Sequence, residues 1–258
     1  MSPSRKPIIA ANWKMHMTIA PAVRLIEEVK AALGALSGVE VVICPPATAL
    51  SAAGHALAGT PFLLGGQTMH WEPKGAYTGE VSGPMLVDVG CRFVIVGHSE
   101  RRLYFGETDD AVGRKVYAAI ECGLTPIVCV GERLEERQAG RTDVVITSQV
   151  RAALQEIPAG ALHRLVVAYE PVWAIGAGHT ATGAEANRVA GLIRRTLAGP
   201  GKDAAAAVRI LYGGSVKPEN IREFLEQPEI DGALVGGASL DAQAFAAIVR
   251  AAERRAAG

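Results

Sequence analysis

Residues 164–183 read "RLVVAYEPVWAIGAGHTATG". The run from Leu165 to Tyr169 is continuously apolar and rich in β-formers, with no polar–apolar alternation. That pattern predicts a parallel strand covered on both faces. The run ends on a carboxylate, Glu170, and Pro171 stops it at once. A loop broken by Gly176 and Gly178 follows. Thr182 and Glu185 are then spaced as a capping box, opening a helix that runs to about Leu197. The stretch is therefore one strand–loop–helix unit, with a charged group held at the strand's carboxyl end.

The same unit recurs in both directions along the chain. Upstream strands are predicted at 7–13, 39–44, 61–67, 92–98 and 125–131, and downstream ones at 208–214 and 231–237. Amphipathic segments lie between them. In 18–33, Ile19, Val23, Ile26, Val29 and Leu33 are expected to share one buried face. Pro218 suits the first turn of a helix whose Ile221, Phe224 and Leu225 point inward. Residues 241–258 read as a terminal helix. Eight strands alternating with helices, with no Gly/Ser-rich or Pro-rich linker, predict an α/β chain folded as one (β/α)8 barrel over 1–258. Its 258 residues match the usual size of that architecture.

Composition narrows the function. Lys plus Arg and Asp plus Glu are equal at 26 each, so the chain has no net field to attract nucleic acid or an anionic membrane. Any anion must be held by local groups. The N-terminal apolar run is too short for a signal peptide, and no span of about 18 apolar residues appears. Cys44, Cys91, Cys122 and Cys129 form no CxxC pair and read as reduced, buried thiols of a cytoplasmic protein. Motifs of dinucleotide sites, phosphate-binding P-loops and serine-hydrolase elbows are absent from the sequence.

In a barrel of this kind the carboxyl ends of all strands meet at one rim, where active sites form. That rim collects a selective set here. Asn12 and Lys14 follow the first strand, and Gly97, His98, Ser99 and Glu100 the fourth. Glu170 ends the sixth, and "YGGSV" and "VGGASL" end the seventh and eighth. Singly, each has an ordinary explanation: a solvated lysine, a satisfied core histidine, an ion-pair glutamate, glycines in turns. Together they would need to coincide at one mouth. Gly213, Gly214, Ser215, Gly236 and Gly237 leave backbone N–H groups open to an anion, and Lys14 adds a local positive charge. A carboxylate and an imidazole beside such a cradle suit proton transfer next to a carbonyl in a small phosphorylated substrate.

With those residues assembled, "AANWKM", "VGHSERR", "IVCVGE", "AYEPVWAIG", "LYGGSV" and "LVGGASL" resemble, in order and spacing, the motifs of the triosephosphate isomerase family. The resemblance covers essentially the whole chain and implies the TIM barrel fold. It implies an isomerase of dihydroxyacetone phosphate and D-glyceraldehyde 3-phosphate, without cofactor or metal, in glycolysis and gluconeogenesis. Glu170 would be the base and His98 a neutral electrophile, its pKa lowered by a helix beginning at Ser99. Lys14 would stabilise developing charge, Asn12 would position substrate, and Glu100 would order Lys14. Substrate binding would fall to Asn12, Lys14, Gly176, Ser215, Gly236 and Gly237. Residues 171–181 would form a lid, in which Ala177 and His179 depart from the family's usual "GTGK". "GAYTGE" resembles the family's dimer loop, placing Thr78 at the interface of a homodimer, with a tetramer as the alternative assembly. A different phosphosugar barrel or a binding-only barrel is the alternative, but the first lacks the "EPVWAIG" lid and the second has no use for a base.

Overall fold

The computed structural model describes residues 5–175, 180–199 and 202–257. Eight strands, β1 (Ile8–Asn12), β2 (Glu40–Cys44), β3 (Leu63–Gly66), β4 (Cys91–Val96), β5 (Thr125–Val130), β6 (Val166–Tyr169), β7 (Arg209–Tyr212) and β8 (Gly232–Val235), pair in parallel and close in sequence order into a barrel. Helices α1 (Ile19–Leu33), α2 (Leu50–Leu57), α3 (Gly83–Asp88), α4 (Ser99–Tyr104), α5 (Asp109–Glu121) and α6 (Leu134–Gln138) belong to the first five units. The rest of the ring is α7 (Thr142–Leu154), α8 (Gly183–Leu197), α9 (Lys202–Ala207), α10 (Ile221–Leu225) and α11 (Ala242–Ala257). No helix among the described residues is long and apolar enough to cross a membrane.

Continuous apolarity in the strands has a direct cause: both faces are buried. Ile8 and Ala10 of β1 join Val42, Ile95, Val166 and Leu211 in a core inside the barrel. Ile9 and Ala11, one residue out of phase, pack in the larger layer between barrel and helices. The Thr182–Glu185 capping box is present at the start of α8, and Ile221, Phe224 and Leu225 of α10 are buried.

Two expectations are corrected. Helix α1 buries Ala22, Leu25, Ile26, Val29 and Leu33, while Ile19 is 52% exposed and Val23 only half-buried. The inward stripe runs 22–25/26–29–33, the true helical spacing, and is rotated from the predicted face. Among the cysteines, Cys44, Cys91 and Cys129 are buried but Cys122 is intermediate.

The closure of the barrel is uneven. β1 and β2 share five registered pairs, whereas β7 and β8 share one, Tyr212 opposite Ala233. Asp231 makes up the difference below that pair. Its N–H donates to Ile210 O at 2.6 Å, and its Oδ2 accepts Ile210 N–H at 2.9 Å. Arg5 and Arg194 hold the same carboxylate at 2.7 and 3.2 Å.

The loop between β3 and α3 is folded on itself. The His70 ring lies 4.4 Å from Trp71 and 4.2 Å from Tyr77, centroid to centroid, and Arg114 of α5 sits 4.4 Å over Trp71. Thr78, at the tip, is exposed.

Candidate active site

At the carboxyl rim, the fold opens a cavity of about 750 Å³ lined by Asn12, Lys14, His98, Glu100, Glu170, Ser215, Gly236 and Gly237, among others. Every predicted site residue within the described range borders it. Gly176, Ala177 and His179 lie outside the described residues.

Lys14 leaves β1 with φ +52°, a left-handed conformation that costs a non-glycine residue roughly 1–3 kcal/mol. Two side chains hold it there. Asn12 Oδ1 accepts the Lys14 N–H at 3.0 Å, and Gln67 Nε2 donates to Lys14 O at 2.8 Å and to Cys44 O at 2.9 Å. The ammonium thus projects from a fixed backbone, and its Nζ lies 2.6 Å from Glu100 Oε1.

β4 ends at Val96, and the φ of +73° at Gly97 turns the chain so that His98 caps α4. His98 Nδ1 accepts the Glu100 N–H at 3.2 Å, which leaves the ring proton on Nε2. That nitrogen lies 3.0 Å from Glu170 Oε1, while Glu170 Oε2 accepts the Ser99 N–H at 3.0 Å. Glu170 is fully enclosed. Burial alone would raise its pKa, but the His98 ring, the Ser99 N–H and the Lys14 ammonium outweigh it and hold the carboxyl below its ordinary value. For His98 the resemblance implied a lowered pKa. Burial does pull in that direction, but the adjoining Glu170 carboxylate and, more weakly, Glu100 carry the net shift upward. The cause is the contact itself: at 3.0 Å the carboxylate charge acts directly on the ring.

Across the cavity, the N–H groups of Ser215, Gly236 and Gly237 donate to no acceptor among the described residues. Gly213 does not share that freedom, since its N–H donates to Tyr169 O at 2.7 Å as an extension of the β6–β7 ladder. Its lack of a side chain matters differently: a Cβ there would come within 2.8 Å of Glu170 Cγ. The glycine lets the cradle strand pack against the carboxylate.

The same strand-end position holds two residues to which the sequence assigned no role, Gln67 after β3 and Glu132 after β5. Glu132 is fully buried and accepts from Tyr169 Oη at 3.1 Å and from Trp173 Nε1 at 2.9 Å. Arg137 stacks 4.1 Å over the Trp173 ring. Ser215 Oγ donates to Ala174 O at 2.8 Å. These contacts pin residues 172–174 at the N-terminal root of the loop after β6. Both residues stood in plain view as polar strand ends in "LLGGQ" and "CVGE".

Beneath the site lies a buried charge cluster. Glu107 accepts the Gly97 N–H at 2.8 Å and pairs with Arg101 at 2.7 Å and Lys115 at 2.9 Å. Burial alone would raise the Glu107 carboxyl. Lys115, Arg101 and Gly97 N–H together lower it below the ordinary carboxylate value. A lowered folded-state pKa adds stability above the unfolded value of about 4.3, lost as pH falls through the folded one. Glu107→Gln leaves the Lys115 ammonium buried without its counter-charge, so it is expected to cost about 3–5 kcal/mol at neutral pH. Urea unfolding should show that loss shrinking toward acid pH; an equal loss at both pH values would overturn the ion-pair account.

A model of a family described as "Triosephosphate isomerase" matches residues 7–252. Similar proteins of that name include one from Moorella thermoacetica, 58% identical over 95% of this chain and 98% of its own length. Others are from Chloroflexus aurantiacus, 55% identical, and Symbiobacterium thermophilum, 54% identical, covering 95% and 96% of this chain and 98% and 97% of their own lengths. With eight parallel strands closed in order and matches of this extent, the chain belongs to the triosephosphate isomerase family.

Proposed function

We propose that this protein interconverts dihydroxyacetone phosphate and D-glyceraldehyde 3-phosphate through an enediolate, as a step of glycolysis and gluconeogenesis in the cytoplasm. The observation that carries the reading is the contact between His98 Nε2 and Glu170 Oε1 at 3.0 Å, within one cavity that also holds Lys14 and the Ser215–Gly236–Gly237 cradle. Phosphate rests on the cradle amides and anchors the three-carbon chain. Glu170, kept ionised despite its burial by His98, the Ser99 N–H and Lys14, removes a proton from the carbon beside the carbonyl. The carbonyl π electrons move to oxygen, which accepts the His98 Nε2–H and faces the Lys14 ammonium. Glu170 then returns the proton to the neighbouring carbon, and the proton on the hydroxyl oxygen moves to its neighbour. No electron leaves the substrate, so no redox partner enters the balance. Asn12 and Glu100 act on Lys14, one fixing its backbone and the other its ammonium.

The test is a coupled assay with glyceraldehyde 3-phosphate in the presence of EDTA. Turnover that persists there is expected; absence of turnover, or turnover restored only by added metal, overturns the reading.

The working unit in this proposal is a homodimer in which the loop carrying Thr78 docks on the neighbouring copy. Met15, Met85, Tyr104 and Phe105 support it as large apolar side chains left exposed on one chain. Light scattering is expected to give twice the chain mass, and Met15→Asp to shift it toward the monomer. A monomeric wild-type protein would overturn the dimer.

A further inference from the structure

We propose that Lys217 steers the dianionic phosphate ester into the cavity, and that Glu219 on the same rim opposes it. The inference rests on the substrate class proposed above. The chain has no net charge, so attraction must come from the mouth itself. Among the described residues lining the cavity, the Lys and Arg side chains are Lys14 and Lys217. Lys14 is committed to Glu100 at 2.6 Å, a contact that cancels much of its field at a distance. Lys217 is exposed and forms no ion pair with any described residue, and the same is true of Glu219.

The position of Lys217 is fixed by the backbone. Its N–H donates to Asn220 Oδ1 at 2.8 Å, and its carbonyl accepts from Asn220 and Ile221 N–H at 3.2 and 3.1 Å. Asn220 Nδ2 in turn donates to Ser215 O at 3.0 Å. One asparagine thus ties the lysine to the turn that carries a cradle amide, two residues away. A flexible surface lysine would be averaged over the rim; this one starts from a set point beside the phosphate subsite. A unit charge acting on a dianion about 10 Å away through water changes its local concentration about fourfold. Salt should screen most of that effect, because the Debye length falls to about 3 Å at 1 M.

The experiment measures kcat and kcat/KM for Lys217→Gln, Lys217→Glu and Glu219→Gln from low to high ionic strength, with the Kd of inorganic phosphate by calorimetry. At low salt, kcat/KM is expected to fall about fourfold in Lys217→Gln, further in Lys217→Glu, and to rise in Glu219→Gln. The curves should converge at high salt with kcat unchanged, and phosphate should bind more weakly to Lys217→Gln at low salt alone. Salt-independent losses, a parallel fall in kcat, or the same sign of effect for Lys217→Gln and Glu219→Gln would overturn the proposal. The calorimetric arm reads Lys217 even if wild-type turnover is absent, so failure of the isomerase reading is separable from failure of the steering.

Discussion

Glu170→Gln is expected to lower kcat by about 10²–10⁴-fold, the range that a positioned general base contributes. The substitution keeps the side-chain volume in a fully enclosed site, and the amide oxygen can still accept the Ser99 N–H. What it removes is the carboxylate charge and its basicity. Phosphate should therefore bind nearly as before, and the loss should fall on kcat. A second readout separates a lost base from a disturbed pocket. His98 is raised against burial chiefly by the Glu170 charge and hydrogen bond, with a smaller push from Glu100. With that charge gone, burial and Lys14 pull the imidazole down against Glu100 alone. Protonated His98 could no longer cap α4 through Nδ1, so activity in the wild type should fall as pH drops through the raised imidazole value. In Glu170→Gln the acid limb of the residual activity should move to lower pH. Unchanged kcat would remove Glu170 from the role of base, and an unmoved acid limb would sever the proposed coupling to His98.

Lys14→Met should lower kcat/KM by about 10²–10³-fold, the usual cost of losing one preorganised electrostatic donor. Methionine matches the aliphatic stem and lacks only the charge. The backbone of residue 14 allows a sharper comparison. At φ +52° a glycine is at ease, so Lys14→Gly should relieve local strain while removing the same ammonium. If the charge carries the effect, both variants lose activity alike, and the glycine variant unfolds at higher denaturant than the methionine variant. Should Lys14→Gly keep near-normal kcat/KM, the residue would be a backbone feature rather than an electrostatic one. Gln67, which braces the carbonyl of Lys14, gives an intermediate case: Gln67→Ala keeps the charge but loosens its aim.

How much of this was legible in the sequence follows from the range of each interaction. Strands buried on both faces announce themselves by unbroken apolarity, and all eight are found where expected, though shorter at one or both ends. Thr182 and Glu185 are three residues apart, so their cap is a local pattern. The rim residues Lys14, His98 and Glu170 were readable because barrel topology alone brings strand ends together. Gln67 and Glu107 act through backbone atoms of other segments, Lys14 O and Gly97 N, and no periodicity encodes such a partner. The direction of the His98 shift was misread for a related reason. A helix terminus is visible in "HSERR", but a carboxylate 72 positions later pressed against the ring is a property of the folded chain alone. The face of α1 differs at its start, where Ile19 in the first turn is exposed and Ala22 and Leu25 take the buried positions.

The sparse hydrogen bonding between the seventh and eighth strands has a mechanical consequence. The turns whose amides donate to no described acceptor spring from those same two strands, so on the proposed reading the phosphate grip would straddle the least-stitched seam of the cylinder. A phosphate bridging both turns would act as a clasp across that seam, complementing from above what Asp231 and its arginines do from below. Occupancy should then tighten the wall where it is loosest, and amide exchange at Tyr212 and Ala233 should slow more than at the well-paired first and second strands.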